Sequence, residues 1–155
     1  MPFTDTPDPI IANLTDQGRT MFARSTIGEL KFVVYGFDVG RGGYAEDNPV
    51  HITPVLTNSI ELEDKIFPTD DSKKPVELIE RLQPTTLIAN CRLSRDEVLA
   101  GIGEIGLWAK VIERAEDADP SVPLVDELFL LAIGHFPLIV KTHRSVILFR
   151  ILVQF

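Results

Sequence analysis

Six residues in the second half of the chain, Gly101-Ile102-Gly103-Glu104-Ile105-Gly106, carry the glycine spacing G-x-G-x-x-G. In dinucleotide-binding loops that spacing does phosphate chemistry. The glycines let backbone close on the pyrophosphate, and the N-terminus of the next helix supplies positive potential. The flanks here do not suit that use. Arg95 to Ala100 does not read as a strand, and Glu104 would set a carboxylate beside the phosphates. Only 49 residues follow Gly106, too few for alternating βαβ units. The string reads instead as a glycine-relaxed turn leading into a strand. A nucleotide-binding or small-molecule enzyme using Gly101–Gly106 stays as the alternative function.

The remaining reactive side chains are sparse. The histidines are His51, His135 and His143. A metal site wants a spaced pair plus a carboxylate. His135 and His143 could meet across a hairpin, but no acid lies near them in sequence, and His135 reads as a turn or packing residue. Asp38, Glu46 and Asp47 flank glycines, yet the spacing of a calcium loop is missing. Asp70-Asp71 and Asp117/Asp119 read as solvated loop acids. No G-x-S-x-G elbow occurs for a serine nucleophile. Cys91 is the single cysteine, lies in the apolar run Leu87-Ile88-Ala89-Asn90-Cys91, and reads as a small buried hydrophobe. No catalytic residue, metal ligand or cofactor is assigned.

These residues must be positioned by a modest chain. Its 155 residues fit one domain that needs no metal or disulfide staple. The net charge of −8 disfavours a general nucleic-acid binder. No apolar run is long enough to span a membrane, and the N-terminus lacks the pattern of a signal peptide. A lone cysteine fits a reducing cytoplasm. Residues 1–9, with prolines at 2, 7 and 9, read as an extended arm. Residues 10–155 read as one compact domain.

Leu14, Gly18, Met21 and Phe22 form one apolar stripe behind the capping residue Thr15, which predicts a helix over 15–24. Glu29 to Phe37 is β-branched and aromatic, hence a strand. Asp38 to Pro49 reads as a glycine-bearing loop, and Pro75 to Leu82 as a short helix or an edge strand. Thr86 to Leu93 is a strand. Residues 104–112 fit strand alternation and helical spacing equally. Residues 113–127 form an acidic loop. Leu128 to Ile133 is a strand, Gly134-His135-Phe136-Pro137 a turn, and Ser145 to Phe155 a long final strand. That last strand is apolar on both faces at most positions, so it is central or covered by a partner. The fold class is α+β, mainly antiparallel β with a short N-terminal helix. Acid gathers in two middle stretches, while Leu138 to Phe155 holds Lys141, Arg144 and Arg150 and no acid. Such segregation could orient one copy against another.

Two short patterns resemble a known family. Leu14-Thr15-Asp16-Gln17-Gly18-Arg19, then Met21-Phe22-Ala23, resembles the opening L-T-x-x-G-x-x-x-x-A of phage tail-collar fibre proteins. In that family a strand and a G-x-G loop follow, as Phe32 to Gly36 and Gly40 to Gly43 do here. Thr86 to Ala89 and then Glu104-Ile105-Gly106-Leu107-Trp108 resemble its strand followed by E-[IL]-G-L-[WY]. The resemblance tips residues 104–112 toward strand and takes Gly106 out of the phosphate reading. It implies an attachment domain of contractile-tailed phages. The long shaft of such fibres is missing, so a stand-alone tail or baseplate module is expected.

The function expected is therefore structural: a virion protein that attaches or connects tail fibres to the tail by protein–protein binding, not an enzyme. The partners expected are other tail or baseplate proteins, the fibre, and further copies of the chain as a trimer or ring. Nucleic acid and membrane are not expected. The place expected is the virion tail, assembled in the host cytoplasm. Phe3 and Ile10 in the arm region, Trp108, and Phe149 and Phe155 in the last strand are the candidate assembly residues, since aromatic and large apolar side chains anchor interfaces.

Overall fold

Thr15 starts the one helix among the described residues. Its backbone is extended (φ −73°, ψ 162°), and its hydroxyl accepts the Gly18 N–H at 2.9 Å. That satisfies a donor the first turn would otherwise leave bare. Helix α1 spans Asp16–Thr26, with Asp16 in its first turn and Arg24 in its last, both complementing the helix dipole. Gly28, at φ +81°, turns the chain out of it.

The computed structural model describes residues 3–5, 9–62, 74–83, 86–98 and 100–154. The strands are β1 (Phe3–Asp5), β2 (Ile10–Leu14), β3 (Leu30–Gly40), β4 (Tyr44–Ala45), β5 (Asn48–Ile52), β6 (Leu78–Gln83), β7 (Thr86–Leu93), β8 (Gly101–Arg114), β9 (Leu128–Val140) and β10 (Ser145–Gln154). Eight of them form one sheet, ordered β3-β8-β9-β2-β10-β7-β6, with β1 also on β10. β4 and β5 form a separate two-stranded hairpin. The expected class, mainly antiparallel β with one short N-terminal helix, is the class observed.

The chain's first strands run parallel to its last. Phe3 to Asp5 pairs with Ser145 to Ile147, and Ile10 to Ala12 with Ile151 to Val153. Residues 3–5 of the expected arm are thus part of the sheet. β2 then switches partner: Asn13 and Leu14 pair antiparallel with Ile133 and Ala132 of β9. β10 is central in the sheet, one of the two alternatives its two-faced apolar pattern leaves open. Ile147, Phe149, Ile151 and Val153 are buried, while Val146, Leu148 and Leu152 on the other face are half-buried.

The sheet curls until its ends meet. Lys74, just before β6, forms a two-bond bridge with Phe37 of β3, at 2.8 and 2.9 Å. Closure removes part of the exposed edge that an open sheet would leave. The enclosed core includes Phe37, Cys91, Leu107, Phe129, Leu131 and Phe149. Phe32 links it to the helix, edge-on to Phe22 at 5.0 Å and to Phe129 at 5.2 Å.

Several expectations change. Gly134 to Pro137 is not a turn: it lies inside β9, where Gly134 pairs with Ile105 and His135 with Glu104. Gly101 to Gly103 is likewise strand, not turn. The strand alternative for 104–112 is the one formed. Asp38 to Gly40 continues β3, because Asp38, Val39 and Gly40 pair with Gly106, Ile105 and Glu104. Residues 78–83 are the edge-strand alternative, not the helix.

Two predictions follow from these contacts. In an open helix Gly18→Ala would stabilise by about 1 kcal/mol. Here a Cβ would sit 2.4 Å from the Leu131 carbonyl oxygen, and overpacking of about 1–3 kcal/mol reverses the sign. A lower urea midpoint is expected; an unchanged or higher one would refute the contact. The second concerns closure. Lys74 pairs with Glu97, whose carboxyl also accepts the Ser94 N–H at 3.0 Å. Burial acts to raise that carboxyl's pKa, but the hydrogen bonds from Lys74 and Ser94 outweigh it and hold it below the ordinary value. A depressed carboxyl stabilises the fold above its unfolded pKa and loses that contribution as pH falls through the folded value. The stability gap between wild type and Lys74→Met should therefore be widest near neutrality and close below about pH 4. A gap independent of pH would sink the idea.

Candidate functional site

β8 is covered on both faces, and the two faces differ. Ile105, Leu107, Ala109 and Val111 point into the main core. Glu104, Gly106 and Trp108 point to the other side, where Trp108, Leu130, Ile133 and Leu62 form a second small core. The segment from Thr53 to Leu62 lies over it. Val55 and Leu128 pack against its edge.

The second face is polar at its heart. The Trp108 indole N–H donates to Asp38 Oδ1 at 2.8 Å, and Asp38 is fully buried. Gly106 leaves room beside Asp38. A Cβ there would lie 2.8 Å from Asp38 Oδ1, 2.9 Å from Leu130 and 3.1 Å from Leu62. The residues Glu104-Ile105-Gly106-Leu107-Trp108 are thus a packing device. The other short pattern meets the same place. The Thr15 hydroxyl donates to the Leu130 carbonyl at 2.6 Å, and the Thr15 N–H to the Leu131 carbonyl at 3.0 Å. Leu130 joins the two patterns, one on each side of β9.

Beside this cluster lies a cavity of about 570 Å³ between the cover and the sheet, lined among others by Thr53, Ser59, Glu61, Glu104 and His135. His135 Nδ1 is 2.7 Å from the Thr53 carbonyl oxygen and 3.4 Å from its hydroxyl. His135 Nε2 is 3.6 Å from Glu104 Oε2. On paper these are hydroxyl, base and orienting acid. The distances decide otherwise: the shorter contact commits Nδ1 to donating to a carbonyl, so that nitrogen cannot take the hydroxyl proton. The arrangement ties the cover down.

The other reactive groups are dispersed. His143 is exposed beside Asp96 at 3.5 Å, far in role from His135, so the two histidines do not form a pair. Space supplies each with the acid that its sequence neighbours lack. Among the described residues no group of three His, Cys, Asp or Glu is placed to hold a metal. Asp38 is in the core, whereas Glu46 and Asp47 are exposed at the β4–β5 turn. Asp70-Asp71 lie outside the described residues. Cys91 is fully buried; burial first, and Glu77 second, push its thiol pKa far up, which removes the reactive thiolate. Burial also lowers the pKa of the Lys141 ammonium, against the pull of Glu97 and Asp96, and its Nζ donates to the carbonyls of Arg95 and Thr142 at 3.0 Å each. The phosphate-loop reading meets a geometric obstacle. Gly101, Gly103 and Gly106 lie inside one strand, so no helix N-terminus follows them, and Gly103 is pressed against the Tyr44 ring and the Gly42 carbonyl.

Of the candidate assembly residues, Ile10, Trp108 and Phe149 are buried within the chain, at 6%, 8% and 0% exposure. Their side chains build the core and offer no surface. The Phe3 backbone pairs with Ser145; Phe155 lies outside the described residues. The exposed large apolar side chains are others, including Ile11, Val50, Ile52, Leu56, Ile60 and Val140. Comparison with protein-family models, with curated proteins and with solved structures finds no match to this chain.

Trp108→Phe removes the indole N–H that donates to Asp38 Oδ1 and leaves part of the indole's volume empty in the small core. The expected cost is about 1–3 kcal/mol, from the lost bond and the lost packing together. Chemical denaturation checks it, and a loss under about 0.5 kcal/mol would refute a structural role for that bond.

Proposed function

We propose that the chain is a structural component of a phage tail or baseplate, which attaches or connects tail fibres by protein–protein binding as a trimer or ring of copies. The observation that carries this reading is the meeting of its two family-like patterns at Leu130. Thr15 and Gly18 dock on one side of β9, and Gly106 and Trp108 pack on the other. Residues that resemble one family's signature act here as one mechanical unit, as an assembly part requires.

The contact surface proposed is the apolar one the fold leaves outside. Ile11 and Ile52 are 63% and 53% exposed. Both line two cavities, one of which is also lined by Phe136, Pro137, Leu138 and Ile139. A second copy of the chain would cover this face, and symmetry would multiply a modest contact into a stable assembly. The acidic stretch 113–127 is partly neutralised within the chain, since Asp126 meets Lys110 at 3.3 Å, so charge plays the lesser part in that contact.

The test is the solution mass of the full chain, followed by antibody labelling of phage particles. Three or more copies and labelled tails are expected. Ile11→Glu and Ile52→Glu should each lower the mass toward a monomer while the far-ultraviolet spectrum stays unchanged. A monomer at every soluble concentration, together with unlabelled particles, would overturn the reading.

A further inference from the structure

We propose, resting on the assembly reading above, that the edge of β10 at Ser145–Ile147 is a strand-exchange site, filled in the assembly by β1 of a neighbouring copy. Phe3, Thr4 and Asp5 pair parallel with Ser145, Val146 and Ile147. On its other side β10 first meets β7 where Ile147 pairs with Leu93. For Ser145 and Val146, β1 is therefore the only strand neighbour among the described residues. When β1 leaves this edge, the N–H and C=O groups it covered are open to another strand.

Identity of sequence fixes the occupant. Phe3–Asp5 of a second copy makes the same three pairs, so the ladder loses nothing when the strand changes owner. What differs is the tether. β1 and β2 both lie along β10, with Phe3 opposite Ser145 and Ile10 opposite Ile151. Between those two pairs the N-terminal chain takes seven steps where β10 takes six. The tether that must absorb the extra residue is Thr6-Pro7-Asp8-Pro9. Each proline fixes φ and lacks the N–H of a ladder donor, so closing this tether along its own β10 is costly. A short hinge under strain invites exchange. Passing β1 to a neighbour relieves the hinge and keeps every pair.

Charge favours the same occupant. Residues 1–18 carry Asp5, Asp8 and Asp16 and no Lys or Arg, while residues 138–155 carry Lys141, Arg144 and Arg150 and no acid. Opposite charge draws the N-terminal segment of any copy toward this edge. The tether also limits where the neighbour sits. The five Cα steps from Asp5 to Ile10 span at most about 17 Å. The accepting copy must therefore lie close against β2. Ile11 of β2, 63% exposed, belongs to the contact face already proposed. The exchanged strand leaves from that face.

The experiment is disulfide trapping in the full chain. Thr4 and Val146 are register partners. A Thr4→Cys chain is co-expressed with a Val146→Cys chain that carries a size tag, so that their joint product is told apart on a gel. Cys91 is fully buried and its thiol pKa is pushed far up by burial, which keeps it out of the reaction. Mild oxidation should give a mixed disulfide between the two chains, and a chain with both substitutions should give linked multimers. The control replaces Val146→Cys by Leu124→Cys, at an exposed residue beyond the opposite end of β9, and should lose most of the mixed product. A mixed product no more abundant than in that control, or a double variant that closes only on itself, would overturn the exchange. Solution mass separates the two possible failures. Copies that assemble while the disulfide closes within one chain sink the exchange alone, and a monomer at every soluble concentration sinks the assembly reading with it.

Discussion

Two successive carbonyls of β9 turn toward one threonine, and much of the molecule depends on that. In a regular strand neighbouring carbonyls point to opposite sides. Between Leu107–Ala132 and Trp108–Leu130 the register of β8 and β9 slips by one residue, and the bulge leaves Leu130 and Leu131 both facing Thr15. Thr15 answers with its hydroxyl and its N–H, and its hydroxyl also accepts from Gly18. One side chain therefore ends β2, starts α1 and pins both to the middle of β9. Gly18 completes the joint, because only a residue without Cβ lets the helix come this close to the Leu131 carbonyl.

That joint also explains the path of the sheet. β2 can leave β10 for β9 because the bulge gives it somewhere to end. The first strands lie parallel on the last, about 141 residues away in sequence. Parallel neighbours need a crossover, and here nearly the whole chain is that crossover. The sheet is complete only when both termini are in place, a high-contact-order arrangement of the kind that folds slowly.

Much of this architecture is legible in the sequence, for stated reasons. Thr15 with the Leu14, Gly18, Met21, Phe22 stripe marks α1 to within two residues. The β-branched runs mark β3, β7 and β10, and apolar residues on both faces mark β10 as a strand that is either central or covered by a partner. What is not legible is long-range. Gly134 to Pro137 carries turn chemistry, with a glycine and a proline in four residues, yet it lies in a strand. There Gly134 makes room for Ile10, with 2.6 Å from a hypothetical Cβ to Ile10 Cγ2, and Pro137 falls in the stretch where β9 is irregular against β8. The acid partner of His135 is 31 positions away, on the neighbouring strand. The choice of Trp108 and Phe149 as surface anchors fails because residue type alone cannot distinguish an interface aromatic from a core one. Exposed Ile11 and Ile52 carry no local mark at all.

The glycine string shows how one spacing serves two opposed physical ends. A phosphate loop needs glycines so that backbone N–H groups stay open to a ligand. In β8 the same three glycines are closed. Where a Cβ would be, Gly101 has Leu138, Gly103 has Tyr44, and Gly106 has Asp38, Leu130 and Leu62. Because side chains alternate across a strand, Gly101 and Gly103 share a parity and Gly106 has the other, so an irregularity must lie between them if Gly103 and Gly106 are to serve packed partners outside the main core. The β8–β9 register slips between Ile102 and Glu104, at the place where such a change is needed. Glycine spacing therefore reports close approach of something to the backbone. Whether that something is a phosphate or the protein's own side chains is decided by the element the glycines occupy, and here that element is a strand covered on both faces.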